Sequence, residues 1–100
     1  MPNFKTLHIT QRATKDLQNI ATYTQQTWGA KQKRKYLAQL HQGFQALCLN
    51  SDLGTLRGDP IQGMQSFLVE GHIIFYIVVA DELQIIRVLH QSMDFEQHLS

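Results

Sequence analysis

A single cysteine, Cys48, among 100 residues leaves no partner for an internal disulfide. Long apolar runs are also missing. The longest, from Ile73 to Ala80, falls far short of the roughly 20 residues that a membrane-spanning helix requires. No apolar run follows a basic N-terminal segment, so a secretory signal is not expected. The five histidines (His8, His41, His72, His90 and His98) are scattered without metal-ligand spacing, and no Gly-rich phosphate loop is present. Cations are scarce in the second half: residues 58–100 carry Arg87 against Asp59, Glu70, Asp81, Glu82, Asp94 and Glu96. Together these absences point away from membranes, cofactors and metals, and toward a cytosolic protein.

What remains is ordinary for a globular chain, with 43% hydrophobic and 17% charged residues and no low-complexity stretch. The length suits one domain over residues 1–100, with a core small enough to gain from a partner. Residues 1–57 hold eight cations (Lys5, Arg12, Lys15, Lys31, Lys33, Arg34, Lys35 and Arg57) against Asp16 and Asp52. This split between a basic first part and an acidic second part suggests an oriented field and a charged partner. A solvated basic surface is the simpler account of the same charges.

Hydrophobic spacing predicts the elements. Residues 4–9 read as a short strand, with Thr10 as a helix N-cap. Ala13, Leu17, Ile20, Ala21, Thr24 and Trp28 form one helical stripe, and Gly29 ends it. A second helix over residues 30–49 is marked by Tyr36, Leu37, Leu40, Phe44, Leu47 and Cys48. Lys31, Lys33, Arg34 and Lys35 crowd its first turns, where each opposes the helix dipole at a few tenths of a kcal/mol. The stretch from Asn50 to Pro60 is turn chemistry, and three strands follow over residues 64–69, 72–79 and 83–90.

The predicted order is thus β-α-α-β-β-β, an α+β fold: an antiparallel sheet with an α-helical hairpin on one face. A three-residue loop between Val79 and Leu83 sets Tyr76 opposite Ile86 and His72 opposite His90. On that register His72, Ile74, Tyr76, Val78, Ile86, Val88 and His90 share one face, expected to be open. Ile73, Phe75, Ile77, Val79, Ile85, Arg87 and Leu89 are expected under the helices. Arg87, the one cation in an apolar strand, requires a carboxylate, backbone carbonyls or an edge position.

In this order and spacing the residues resemble the ParE branch of the RelE/ParE toxin superfamily over about residues 7–95. The resemblance rests on Ile9-Thr10, Ala13, Asp16-Leu17, Ile20 and Tyr23-Thr24, then Trp28-Gly29, Gln32, Tyr36, Leu40, Phe44 and Leu47. Gly63, Phe67, the run His72 to Tyr76, the run Ile86 to His90, and Met93-Asp94 complete it. Gln65 stands where such chains usually carry arginine, and Ser51 where proline is common.

The resemblance implies the toxin of a type II toxin–antitoxin pair, held inactive by a ParD-like antitoxin. It implies DNA gyrase as target, inhibited by binding without catalysis, and contact with DNA only through the antitoxin, in a hetero-oligomer. Candidate target residues are His72, Tyr76, Arg87, His90, Met93 and Asp94, with a His90–Asp94 link across the last turn. Candidate antitoxin residues are Lys31, Lys33, Arg34, Lys35, Trp28 and Tyr36, although packing in the core or the hairpin is the simpler account of Tyr23, Trp28 and Tyr36.

Two alternatives stay open. RelE-type members cut message on the ribosome with several cations and a tyrosine at the last strand and following turn. Here that run, from His90 to Glu96, has no Arg or Lys and two carboxylates, while His72, His90 and Tyr76 remain able to transfer protons. A toxin that retains only antitoxin binding is the other alternative, favoured by Gln65.

Overall fold

The computed structural model describes residues 4–57 and 62–92. The expected elements are present: β1 (Thr6–Ile9), α1 (Gln11–Trp28), α2 (Ala30–Leu49), a 3-10 turn (Ser51–Leu53), β2 (Thr55–Leu56), β3 (Gln65–Val69), β4 (His72–Val79) and β5 (Glu82–His90). Thr10 caps α1 through its side chain, which accepts from the Ala13 N–H at 3.2 Å. The same hydroxyl donates to the Ile85 carbonyl at 2.8 Å, so the cap also fastens the helix to the sheet. Gly29 alone separates the two helices, at φ 94°, a backbone region that L side chains rarely adopt. Among the described residues, no helix is long and apolar enough to cross a membrane.

The sheet differs from the wholly antiparallel one expected. Its order is β1-β5-β4-β3-β2, and β1 runs parallel to β5, pairing Thr6 with Glu82 through Ile9 with Ile85. The two helices between β1 and the later strands form the crossover that lets the first strand enter in that sense. β2 is a further strand, two residues long, paired with Gln65 and Ser66 inside what reads as turn sequence.

Register explains a second correction. The β4–β5 loop has two residues, Ala80 at φ 54° and Asp81, because Val79 pairs with Glu82. A bulge then places Tyr76 opposite Ile85 and Phe75 opposite Arg87, leaving Ile86 as the extra residue. Loop and bulge each shift the ladder by one residue, in opposite senses. His72 therefore still faces His90, as expected.

The two faces of β4, however, are exchanged, and with them β5 beyond the bulge, while Ile85 lies under the helices as expected. Ile74, Tyr76, Leu83, Ile85 and Val88 pack with Ala13, Ile20, Leu40, Phe44, Leu47 and Cys48 in the core under the helices. Phe75, Leu89 and Met64 form a second apolar cluster on the opposite face, with Ile73 and Ile77 against it. Both faces are apolar, so counting hydrophobic residues could not decide between them.

Tyr76 is accordingly a core residue with no exposed surface. Its hydroxyl donates to the Ser51 carbonyl at 2.6 Å and accepts from the Gly54 N–H at 3.1 Å, which pins the 3-10 turn to β4. Gln65 supports the same turn, donating from Nε2 to Ser51 O at 3.2 Å. Tyr76→Phe strands the Gly54 N–H, while Ser51 O keeps its bond from Gln65, and is expected to cost about 1–3 kcal/mol. A urea midpoint within error of the wild type would show the hydroxyl to be dispensable.

Candidate functional site

Thr24, Trp28, Gln32 and Tyr36 follow one another at intervals of four across the Gly29 junction. They form one wall of a cleft of about 660 Å³ at the tip of the helical hairpin. Tyr23, the β3–β4 turn (Glu70-Gly71) and the paired histidines His72 and His90 complete its lining. The volume is in the range typical of ligand clefts. Tyr23 and Trp28 are not hairpin packing: they are 67% and 70% exposed at the rim.

The floor is a chain of hydrogen bonds. The Gly71 N–H donates to the Tyr36 hydroxyl at 3.3 Å, and that hydroxyl bonds His72 Nδ1. Burial pushes the Tyr36 phenol above its usual range, so the phenol stays protonated and donates to Nδ1. Burial first, and the neighbouring His90 second, push His72 down from 6.5 to about 4, against a smaller upward pull from Asp16. His72 is therefore neutral near pH 7, with Nδ1 as acceptor and its proton on Nε2. Its ring meets that of His90 edge-on, with centroids 5.3 Å apart. His90 Nδ1 accepts from the Ser92 N–H at 3.2 Å and lies 2.7 Å from Ser92 Oγ.

An imidazole titration followed by NMR should find the His72 midpoint near 4, and His90→Asn, which removes the second cause of the depression, should raise it. Because the folded value is depressed, the stabilisation is full above pH 6.5 and is lost as the pH falls toward 4. After discounting for solvent it is on the order of 1–2 kcal/mol. A midpoint at 6.5 in the wild type would refute this floor.

The remaining candidates lie elsewhere. Beyond Ile85, β5 has no β1 partner, and Asp16 on α1 takes that edge. Its Oδ2 accepts from the Val88 N–H at 3.0 Å and from Arg87 Nε at 2.7 Å, and its Oδ1 accepts from Arg87 Nη2 at 2.9 Å. Arg87 thus has the carboxylate that its position required, and the two side chains are 11% and 10% exposed. Asp16 was missed as that partner, although a carboxylate three residues after Ala13 and four before Ile20 must share their buried face. Met93 and Asp94, and with them the His90–Asp94 link, lie outside the described residues. Lys31, Arg34 and Lys35 are exposed on α2, and Lys33 Nζ donates to Gln25 Oε1 at 2.7 Å.

The structure therefore brings two target candidates, His72 and His90, together with two antitoxin candidates, Trp28 and Tyr36, in one cleft. It removes Tyr76 to the core and leaves Arg87 at the sheet edge. None of the chain's nine Lys and Arg residues lines the cleft. Arg57 instead stacks over Phe75 at 5.9 Å, on the opposite face of the sheet. Among the described residues, no three His, Cys, Asp or Glu side chains converge as a metal site.

Comparison with known proteins accords with this architecture. Residues 7–95 match the family described as the ParE toxin of the type II toxin–antitoxin system parDE. A protein named Toxin ParE1 from Caulobacter vibrioides is 33% identical, over 95% of this chain and 98% of its own. Toxin ParE from Escherichia coli is 30% identical, over 92% of this chain and 90% of its own. Among solved structures, the chromosomal ParDE system of P. aeruginosa superposes with a TM-score of 0.76 at 20% identity, covering 88% of this chain and 97% of that one. The RelBE2 toxin–antitoxin complex of Mycobacterium tuberculosis gives 0.66 at 18%, covering 89% and 93%. This chain belongs to the ParE toxin family of type II toxin–antitoxin systems.

Proposed function

We propose that this toxin arrests growth in the cytoplasm by binding DNA gyrase, without catalysis, and that a ParD-like antitoxin neutralises it. The observation that carries the reading is the cleft floor. Two imidazoles and a phenol stand there with no lysine or arginine among the lining residues, and Glu70 lies on the wall. Cleaving a phosphodiester requires cations held against the developing charge, and removing even one preorganised donor costs such sites about 100-fold or more. A surface of aromatic rings and imidazoles suits contact with a protein partner instead. His72 and His90 are the described residues we assign to the target contact, together with Met93 and Asp94; Arg87 is taken up by Asp16.

A second reading is supported by the Tyr36–His72 hydrogen bond with the His90 ring beside it, groups of the kind that a RelE-type ribonuclease would need for proton transfer. The loss of arginine at position 65 supports less: Gln65 serves the fold by holding Ser51. Purified toxin added to a gyrase supercoiling reaction distinguishes the proposal. Inhibition that reaches completion near one toxin per gyrase, and is reversed by antitoxin, is expected. Supercoiling unaffected at tenfold excess would overturn it.

A further inference from the structure

Between α1 and α2 lies a second hollow, of about 550 Å³, that shares no residue with the cleft. Its floor is apolar, made by Leu17, Leu37, Leu40 and Phe44 with Ile9 of β1, and Leu17 and Leu37 are only half-buried there. Its walls are two stripes at helical spacing: Thr14, Gln18 and Ala21 on α1, Ala38 and His41 on α2. The two alanines keep it open where larger side chains would fill it. The charge beside it has one sign. Arg34 continues the Ala38–His41 stripe one turn earlier, and Lys15 adjoins Thr14, both exposed. Every exposed position of the two helices is neutral or cationic, because their one carboxylate, Asp16, is buried against Arg87. An apolar groove with cationic flanks is the complement of an apolar surface with acidic flanks.

We propose that this groove is a second contact for the target and seats an acidic amphipathic helix of gyrase. The apolar stripe of that helix lies over Leu17 and Leu37, and its carboxylates meet Lys15 and Arg34. The proposal rests on the gyrase reading above and adds a surface to it. A specific protein contact buries roughly 800 Å² on each partner, more than the two histidines of the cleft provide. The occupant is helical because the flanks of α1 and α2 offer no free backbone groups. An extended segment would leave its own N–H and C=O groups without partners there, whereas a helix brings its own already paired. Thr14 to Ala21 and Leu37 to Phe44 each span about 10 Å at 1.5 Å per residue, the length of two helical turns.

Two variants of the full-length toxin separate the two components of the contact. Ala38→Phe fills the groove, and K15E/R34E reverses the charge beside it. All three positions are exposed, and circular dichroism checks that both variants fold. Each is assayed for inhibition of gyrase supercoiling and, by calorimetry, for binding to the cognate antitoxin. Both should raise the concentration for half-inhibition by about tenfold or more, and both should leave antitoxin affinity unchanged. Added salt should narrow the gap between the wild type and K15E/R34E, while the deficit of A38F persists. Variants that inhibit gyrase as well as the wild type overturn the proposal and leave the gyrase reading intact. Wild-type toxin that fails to inhibit overturns both. A deficit confined to K15E/R34E, with A38F unaffected, overturns the groove in favour of a polyanion such as DNA held by charge alone. An equal loss of antitoxin affinity in both variants overturns it by placing the antitoxin in the groove instead.

Discussion

Asp16→Ala is expected to lower the unfolding free energy by about 3–5 kcal/mol, a large share of the 5–15 kcal/mol typical of a small domain. Three bonds end on this one carboxylate: two from Arg87 and one from the Val88 N–H. Removing it leaves a guanidinium whose side chain is only 11% exposed without its counter-ion, and a strand-edge N–H without an acceptor. The edge in question is where β5 runs on beyond β1, so α1 would lose one of its two polar fastenings to the sheet, the Thr10 cap being the other. Asp16→Asn keeps an acceptor for Val88 but loses the charge, and should cost about half as much. The double variant D16L/R87M removes both charges together and should recover much of the loss, since the cost lies in a buried charge left alone. Urea unfolding of the four proteins measures this. A D16A midpoint close to the wild type would mean that the pair is a surface contact of no consequence.

Gly54→Ala should cost about 3 kcal/mol, the upper end for added bulk in a packed site. An ideal Cβ at this position falls against Tyr76 Oη and 2.7 Å from the Ser66 carbonyl oxygen, closer than real Cβ atoms come. Neither neighbour yields easily. Ser66 O belongs to the backbone of β3, and Tyr76 is fully buried with its hydroxyl bonded to Ser51 and Gly54. Because one of the two obstacles is the phenol oxygen, Tyr76→Phe should absorb part of the penalty. The double variant G54A/Y76F should then be less destabilised than the sum of the single variants. Strict additivity in denaturant midpoints would contradict this packing.

The same residues show what the sequence alone made legible. The helices were readable to their ends because Thr10, Gly29 and Asn50 are punctuation that acts locally. The parallel pairing of β1 with β5 was not, since which sheet edge a strand joins depends on contacts more than 70 residues away in sequence. β2 was hidden because two residues show no alternation and their partner, β3, lies beyond a turn. The buried face of β4 was misjudged because the other set, without the two histidines and the tyrosine, counts as more apolar. Tyr36 instead satisfies His72 under the hairpin, and a second apolar cluster occupies the far face.

The site was legible in part for a related reason. Cross-strand geometry pointed to the His72–His90 pair, and electrostatic cost to a carboxylate, backbone carbonyls or an edge position at Arg87. The cleft itself arises where the end of α1, the start of α2 and the Glu70-Gly71 turn meet, and no local pattern encodes that meeting. The run of spacing-four positions from Thr24 to Tyr36 is the signal that most nearly reveals it.

The proposed toxin acts by occupancy in place of turnover, with two imidazoles and a phenol but no lysine or arginine lining its cleft. Primer extension of a message on translating ribosomes, with purified toxin in molar excess, tests that most directly. Full-length message throughout is the predicted result, and toxin-dependent cleavage within the ribosomal A site would contradict it.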